Sequence, residues 1–591
     1  MPLRIEDYAM IGDCRSGALV GTDGSIDWLC LPRFDSDAFF CALLGGPEHG
    51  RWALTPDAEY RSQRHYRDSG LVLETHFSTA DAELRIIDFM PMRDDQVSCV
   101  VRLVEGISGR MRLRHELCAR FDYGLTIPWI RARDDERTAL IAGPHQLVLR
   151  APSHTLAEHL DGAQRFDVCA GERLVFVLQH CPAHASAPDD FDAYAALDHT
   201  EAFWHDWSSH CRPAGEWSDH VLRSAITLKG LSFTPTGGIA AALTTSLPET
   251  LGGHRNWDYR YCWIRDASFT LSALRQAGYV EEAVAWRSWV RRAVAGAPHQ
   301  LQVMYGLAGE RRLDEWIADW LPGYEGARPV RIGNAAAQQF QLDIWGELVG
   351  AFDTDDPKGL EMIPQTQHEI VAFMDHLETL WRAPDDGIWE IRAERRHFVH
   401  SKVMAWLAFD RISRAPLPRS LLGHQRRWQR IADQIHADVC ANGLDAEGRH
   451  FVQSYGHEEM DAALLLLPLS GFLPADDPRM VATVHKVAEQ LMEDGLLQRY
   501  DTGEGVDGLS GEEGTFLACS FWLVECYALI GELEPARDLM RRLVGLLNDV
   551  GLLAEEYDTR HRRQVGNFPQ AYSHVALINA AFRLHSAETP G

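Results

Sequence analysis

The chain has 591 residues, too many for one ordinary domain, and its 57 Lys and Arg against 85 Asp and Glu give a formal charge of −28. That excess of acid repels nucleic acid and anionic lipid, so DNA, RNA and membrane-surface roles are set aside. With 46% hydrophobic and 24% charged residues the composition is that of an ordinary globular protein with an extensive core, which excludes global disorder.

The first residues, MPLRIEDYAMIGDCRSG, lack the basic, apolar, small-residue order of a secretion signal, and no later stretch is apolar for long enough to span a bilayer. Twelve cysteines are scattered from Cys14 to Cys526 without a CxxC pair or zinc-like spacing. Free thiols and a cytoplasmic location are the expectation.

From Leu3 to about Ala183 the chain runs in short alternating stretches: LVLETHFST, AELRIIDFMP, VSCVVRLVEGISGRMRLRHEL and HQLVLRAPS. Alternation with period two means one buried and one wet face, and many such runs imply an antiparallel β-sandwich. Turn signals at Gly21-Thr22-Asp23-Gly24 and Asp161-Gly162 fit hairpins. After the acidic, Ala-rich stretch APDDFDAYAALDHTEAF the period becomes helical. About a dozen helices are expected, starting near Ser218, Tyr261, Glu281, Ala335, Gln367, Ser401, Leu422, Glu458, Pro478, Gly514, Glu534 and Pro569. Twelve helices would close as six inner and six outer, an (α/α)6 barrel. The expected organisation is a β-sandwich at 1–200, a linker at 201–217 and a barrel at 218–591.

Chemistry is expected in the barrel's loops, since a rigid scaffold of helices supplies packing and its loops carry function. Five loops stand out: NWDYRYCWIRDASF (256–269), LPGYEGARPVRIGN (321–334), PDDGIWEIR (384–392), LLQRYDTGEGVDGLSGEEGTF (496–516) and GLLAEEYDTRHRRQVGNFPQAYSH (551–574). Rings beside carboxylates and arginines suit a sugar, whose C–H faces pack on rings while its hydroxyls meet charged groups. In the first loop Trp257, Tyr259, Tyr261 and Trp263 alternate with Asp258, Arg260 and Arg265; the competing reading is core tryptophans at a helix start capped by Arg265 and Asp266. Cleaving a glycoside needs one protonated and one ionised carboxyl group, for which Glu390 and Glu555 are candidates. Trp389 beside Glu390 would raise its pKa by desolvation, and either Glu555 or its neighbour Glu556 could face the sugar.

These segments resemble the inverting α-glucosidases of glycoside hydrolase family 15, which include glucoamylases, glucodextranases and bacterial trehalases. The resemblance covers nearly the whole chain. IEDYAMIGDCRSGALVGTDGSIDWLCLPRFDS is similar to the opening of the trehalase-like bacterial branch, and PVRIGNAAAQQFQLDIWGE to a segment of the same branch. The resemblance implies that Trp263, Arg265 and Asp266 bind the non-reducing glucose and that Arg331 and Asn334 lie near the substrate, and Tyr261, from the same aromatic run, is a further candidate contact. It implies that Glu390, next to Trp389, is the general acid and Glu555, in LLAEEYD, the general base. Arg499 and Tyr500 would contact sugar at the cleavage point, with Glu556 and Glu513 beside the site.

The family's acid is often followed by a second acid, whereas Ile391 follows Glu390 here, so the next subsite must use other groups such as Glu512 or Glu513. Trp345-Gly346-Glu347 repeats the Trp-acid pattern but sits in an apolar helical run. His254, His397, His400, His561 and His574 lie near the loops and read as hydrogen-bonded structural groups. The resemblance implies a single displacement with the carboxyl groups roughly 6.5–9.5 Å apart. The chemistry itself requires no cofactor or metal, although some trehalase-like relatives depend on phosphate or magnesium, and the expected partner is a small α-linked glucoside, first α,α-trehalose and next isomaltose, dextran or malto-oligosaccharides. A sugar phosphorylase and an inactive carbohydrate-binding protein are the rivals, and both carboxylates being present argues against them. A homo-oligomer stays open, since a sandwich edge or barrel flank could pair without a sequence signature.

Overall fold

A computed structural model describes residues 2–589 except 94–96, 133, 135, 157–159, 161, 352–363, 503–506 and 510. Asp161 of the expected hairpin turn and Gly503 and Gly505 of the glycine-rich loop lie outside the described residues. The alternating N-terminal runs form two antiparallel sheets. One has the order Tyr8–Gly12, Gly17–Gly21, Ser25–Cys30, Arg51–Pro56, Arg110–Cys118, Gln164–Cys169, with Ala38–Phe40 also paired to Ser25–Cys30. The other has the order Trp129–Ala132, Arg137–Ala142, His145–Arg150, Arg173–Pro182, Cys99–Ser108, Glu83–Phe89, Leu73–Ser78, Arg61–Tyr66.

Residues 110–118 keep the simple pattern, with Met111, Leu113, His115 and Leu117 turned inward and their neighbours outward. The first three strands depart from it and are buried on both faces, because the barrel covers the side that would otherwise be wet. Gly17 permits that approach: a Cβ there would stand 2.9 Å from Leu243 Cδ1 and 3.0 Å from the Ile11 carbonyl. The Ala-rich stretch that ends the β region forms a helix, α1 (Ala193–Ser208), started by Asp192, whose Oδ1 accepts from the Tyr194 and Ala195 amides. Ala193 and Leu197 of α1 cover Val72, Ile87, Val101 and Val177 on the second sheet's outer face.

Twelve further helices follow among the described residues. In chain order they are α2 (Ser218–Gly230), α3 (Ile264–Gln276), α4 (Glu281–Ala293), α5 (Asp343–Ala351), α6 (Pro364–Leu380), α7 (Val399–Arg414), α8 (Leu422–Asn442), α9 (Leu466–Ser470), α10 (Pro478–Leu491), α11 (Leu517–Leu529), α12 (Leu533–Val544) and α13 (Ala571–Glu588). The odd-numbered helices α3 to α13 touch one another in a closed inner ring, and the even-numbered ones lie outside, giving an (α/α)6 barrel. Sequence dictates which is which. Outer helix α12 buries only Ala536, Leu539, Met540 and Leu543, a single stripe, whereas inner helices α7 and α11 are buried almost all round. At Ala335 and Glu458 the expected helices start late: capped 3-10 turns at Ala335–Gln338 and Ala462–Leu465 come first, under the side chains of Asn334 and Asp461. No described helix is long and apolar enough to cross a membrane, and all twelve cysteines are free.

Sandwich and barrel share one apolar core, and polar groups pin the seam. Trp28 donates Nε1–H to the Leu243 carbonyl at 3.0 Å. Arg260, fully buried, donates to both oxygens of Asp258 at 2.9 and 2.6 Å and crosses to the sandwich at the Ser36 carbonyl and the Tyr123 hydroxyl, each 2.9 Å away. Removing one partner of such a pair strands the other charge in the core, at a cost of about 3–5 kcal/mol. Arg260→Met should therefore lower the midpoint of the first urea unfolding transition sharply, and adding Asp258→Asn should recover part of the loss. An unchanged midpoint in the single variant would show that the pair does not hold the seam.

Candidate active site

Every inner helix begins at one end of the barrel, and a pocket lies there. It is lined by Ala241, Tyr259, Trp263, Arg265, Asp266, Ile388, Trp389, Glu390, Arg499, Phe516, Glu555, Gln570 and Tyr572. Trp263 immediately precedes α3, and Arg265 and Asp266 occupy its first turn. Arg265 is held from behind by Gln341 Oε1 at 2.9 Å and Asp343 Oδ2 at 2.7 Å, so its guanidinium is fixed before any ligand arrives.

Glu390 sits in a turn at φ 60°, a left-handed conformation that costs a non-glycine residue about 1 kcal/mol or more. Gln339 Nε2 fixes the turn by donating to the Glu390 and Ile391 carbonyls, each at 3.1 Å. The side chain is half-buried; its Oε1 accepts from Trp263 Nε1 at 2.6 Å and lies 3.7 Å from Arg265 Nη2. Burial pushes its pKa above the usual carboxylate range, opposed by Arg265 and by the Trp263 N–H, while Asp266 adds to the rise.

Glu555 is buried on the opposite side of the barrel sequence, just before the strand Glu556–Asp558. Its Oε2 accepts from the Asn567 amide at 3.4 Å, and the Tyr259 hydroxyl hydrogen-bonds the same carboxylate. Gly566, at φ 77°, makes the room: a Cβ there would stand 2.8 Å from Glu555 Oε2. Burial raises the Glu555 pKa to about 7 against the pull of Arg499, the Asn567 amide and Tyr259.

Behind this wall three buried carboxylates surround Arg499. Its Nη2 donates to Glu249 Oε2 at 3.0 Å and to Glu513, and lies 3.6 Å from Glu556 Oε1. Glu249, Glu513 and Glu556 are spaced as a hard cation's donors could be, all within 4.8 Å, but the guanidinium stands among them and supplies the positive charge. Arg255 pairs with Asp507 at 2.5 Å, and Tyr500 donates to the same Asp507 at 2.9 Å.

Of the residues singled out in the sequence, the pocket gathers Trp263, Arg265, Asp266, Trp389, Glu390, Arg499 and Glu555. Glu513, Tyr500 and Glu556 lie in the layer behind it. Tyr261, Arg331 and Asn334 do not line it. Asn334 caps the turn at Ala335–Gln338, and Arg331 binds the His254 carbonyl at 2.9 Å and lies over the Trp257 ring at 4.4 Å. Glu512 is exposed and paired with Arg560 at 2.6 Å. The Trp345-Gly346-Glu347 repeat is inside α5, and its Glu347 faces a different cavity. Among the histidines, His254, His561 and His574 are hydrogen-bonded to the Arg328 carbonyl, Asp558 and Ser224, His397 stacks on Tyr455, and none of the five lines the pocket.

Phe516, Gln570 and Tyr572 were not among the expected contacts, and Tyr259 was named only as one ring of the alternating run, without a site role. Tyr259 was within reach, two residues from Tyr261 in the same alternating run. That run breaks, however: the strands are Asn256–Asp258 and Cys262–Trp263, and the bend between them sends Tyr259 to Glu555 and Tyr261 toward the seam.

Sequence models of known families match both parts of the chain: glycosyl hydrolases family 15 over residues 215–582 and a trehalase-like N-terminal region over residues 1–179. Trehalase of Mycobacterium tuberculosis is 39% identical over 620 aligned residues, spanning 99% of this chain and 90% of that one. Trehalase of Thermoplasma volcanium is 34% identical over 99% of this chain and 94% of its own. Isomaltose glucohydrolase of Kribbella flavida is 27% identical over 41% of this chain and 61% of its own. A bacterial glucoamylase solved in complex with acarbose shares the fold, with a TM-score of 0.71 at 12% identity over 99% of this chain and 94% of that one. By its sequence over most of its length, and with a fold to match, the chain belongs to family 15 of the glycosyl hydrolases.

Proposed function

We propose that this chain hydrolyses α,α-trehalose to two molecules of glucose, with inversion at the attacked carbon, and that Glu390 and Glu555 are its acid and base. The observation that carries this reading is that two carboxyl groups from loops 165 residues apart, both with raised pKa, line one pocket together with Trp263, Arg265 and Asp266. The full-length likeness to chains named trehalase supports the substrate.

In this mechanism Trp263, Arg265 and Asp266 hold one glucose, so that binding fixes the scissile bond between the carboxyl groups. Glu390 gives its proton to the glycosidic oxygen as the C1–O bond breaks. Glu555, ionised, takes a proton from the water whose oxygen bonds to C1 from the opposite face. Tyr259 orients Glu555, and the Trp263 N–H holds one oxygen of Glu390 so that the other is left for the sugar. The second glucose meets a rim built by Trp257, Arg331, Arg392 and Glu315: both guanidinium groups lie 4.4 Å from the Trp257 ring, and Glu315 pairs with both. Isomaltose is the second reading, favoured by the partial likeness to an isomaltose glucohydrolase. The free cysteines support work in the reducing cytoplasm.

Glu390→Gln and Glu555→Gln should each lower glucose release from trehalose by about 10²–10⁴-fold with the circular dichroism spectrum unchanged. One β-glucose per trehalose in an NMR time course would show inversion; near-parent rates in either variant would remove that residue from the mechanism, and faster turnover of isomaltose would move the substrate to the second reading.

Because the base works ionised, kcat/KM should fall as pH drops through about 7. Tyr259→Phe removes a hydrogen bond that favours the ionised carboxyl, so the Glu555 pKa rises and this acidic limb moves to higher pH. A limb that stays in place would mean that Tyr259 does not act through Glu555.

A further inference from the structure

The inner helices that start at the catalytic pocket end around a second cavity of about 270 Å³ at the other mouth of the barrel. On α3, Asp266 faces the first and Arg275 the second, nine residues or about 14 Å along the axis. Arg275, Arg287, Arg411 and Arg583 line this second cavity against two carboxyl groups, Glu347 and Glu525. Burial raises Glu347 to about 8 and Glu525 to about 7, so near neutral pH these two carboxyl groups offset little of the charge of Arg287, Arg411 and Arg583.

Two of these guanidinium groups are incompletely satisfied by the described residues. The Nε atoms of Arg287 and Arg583 are buried without a hydrogen-bond partner among the described residues, and the closest approach of Arg583 to Glu525 is 4.0 Å. The Tyr572 hydroxyl, which borders both cavities, is likewise buried and unpartnered. A guanidinium fork is built to bind phosphate oxygens, and several round one cavity form an anion site. At about 270 Å³ the cavity has more room than one inorganic phosphate fills. Ser272 and Asn579 offer hydroxyl partners, and Phe269, stacked on Tyr572 at 5.6 Å, offers a ring face. We propose that this cavity binds the phosphate monoester of a small sugar, its phosphate on Arg287, Arg411 and Arg583 and its hydroxyls on Asn579 and Ser272. The site is separate from the catalytic pocket, with Tyr572 as the wall between them.

Calorimetric titration of the full chain with glucose 6-phosphate, and separately with inorganic phosphate, tests this. The ester should bind more tightly than inorganic phosphate. Arg411→Gln and Arg583→Gln should each weaken it about tenfold or more while trehalose turnover shows that the barrel is folded. Arg411→Lys and Arg583→Lys, which keep the charge and lose the fork, should fall between. Asp266→Asn, in the catalytic pocket, should leave ester binding unchanged. No binding at millimolar ester, inorganic phosphate binding as tightly as the ester, or full affinity in the Gln variants would each overturn the proposal, as would loss of binding in Asp266→Asn.

Discussion

The ion pair of Arg260 and Asp258 is the constraint that the catalytic end is built on. Both charges are fully desolvated, so they are tolerable only together and only with their remaining donors and acceptors met. Asp258 meets this by also accepting from the Arg260 and Gly333 amides, and Arg260 by reaching across the seam to Ser36 and Tyr123. The segment from Asn256 to Trp263 thereby acquires one position. Tyr259, next to the pair, goes to Glu555, and Trp263, four residues on, goes to Glu390. Among the described residues the sandwich contributes no side chain to the pocket wall, yet it supplies two of the groups that fix the loop on which both carboxylates lean.

Helix polarity then distributes charge between the two mouths. Each inner helix presents its N-terminus to the catalytic pocket, where the peptide dipoles amount to about half a positive charge per helix. Acidic groups collect there, Asp266 and Asp343 in first turns and Glu390 and Glu555 in the loops. Burial acts in the opposite sense, and it wins: both loop carboxyl groups are raised in spite of the helix ends, Arg265 and Arg499. At the far mouth the C-termini carry the complementary partial charge, and arginines gather there. Arg275 and Arg411 lie in last turns and offset those termini, but a helix end carries only a fraction of a charge and its field fades within a turn.

How much of this was legible in the sequence follows from what each signal measures. Periodicity reports burial on one side, so the shift from period two to a helical period located the change from sheet to barrel, and twelve helical stretches suggested the ring. It could not separate helix from tight turn at Ala335 or Glu458, because the apolar spacing is similar and the difference lies in side chains that cap the backbone. In the site, Trp263, Arg265 and Asp266 came from the family resemblance, since the residues alone fitted core tryptophans at a capped helix start as well; the fold puts all three on the pocket wall. Tyr261 was expected in the pocket and lies outside it, since parity along a strand fails across a bend. Gln570 and Tyr572, at the start of α13, fall in the loop 551–574 that stood out by composition, but nothing local assigned them individually; closure of the ring brings them to the pocket.

Glu555 and Glu556 show how one residue of register separates two roles. Glu556 opens a strand, paired to Phe516 on one side and Val565 on the other, and successive side chains of a strand leave by opposite faces. Glu555 therefore turns to the pocket, while Glu556 accepts from the Gly514 amide at 2.8 Å and joins Glu249 and Glu513 around Arg499. Arg499, with Arg255 3.8 Å from Glu513, does not neutralise all three buried carboxylates, and burial holds Glu249 and Glu556 well above the usual carboxylate range, on the protonated side. Protons retained there leave part of the charge of Arg499, itself on the pocket wall, to act on Glu555. The proton affinity of Glu555 is thus set in part by Glu249, Glu513 and Glu556, which do not line the pocket, and it is at those carboxylates that it can be adjusted without altering the pocket wall.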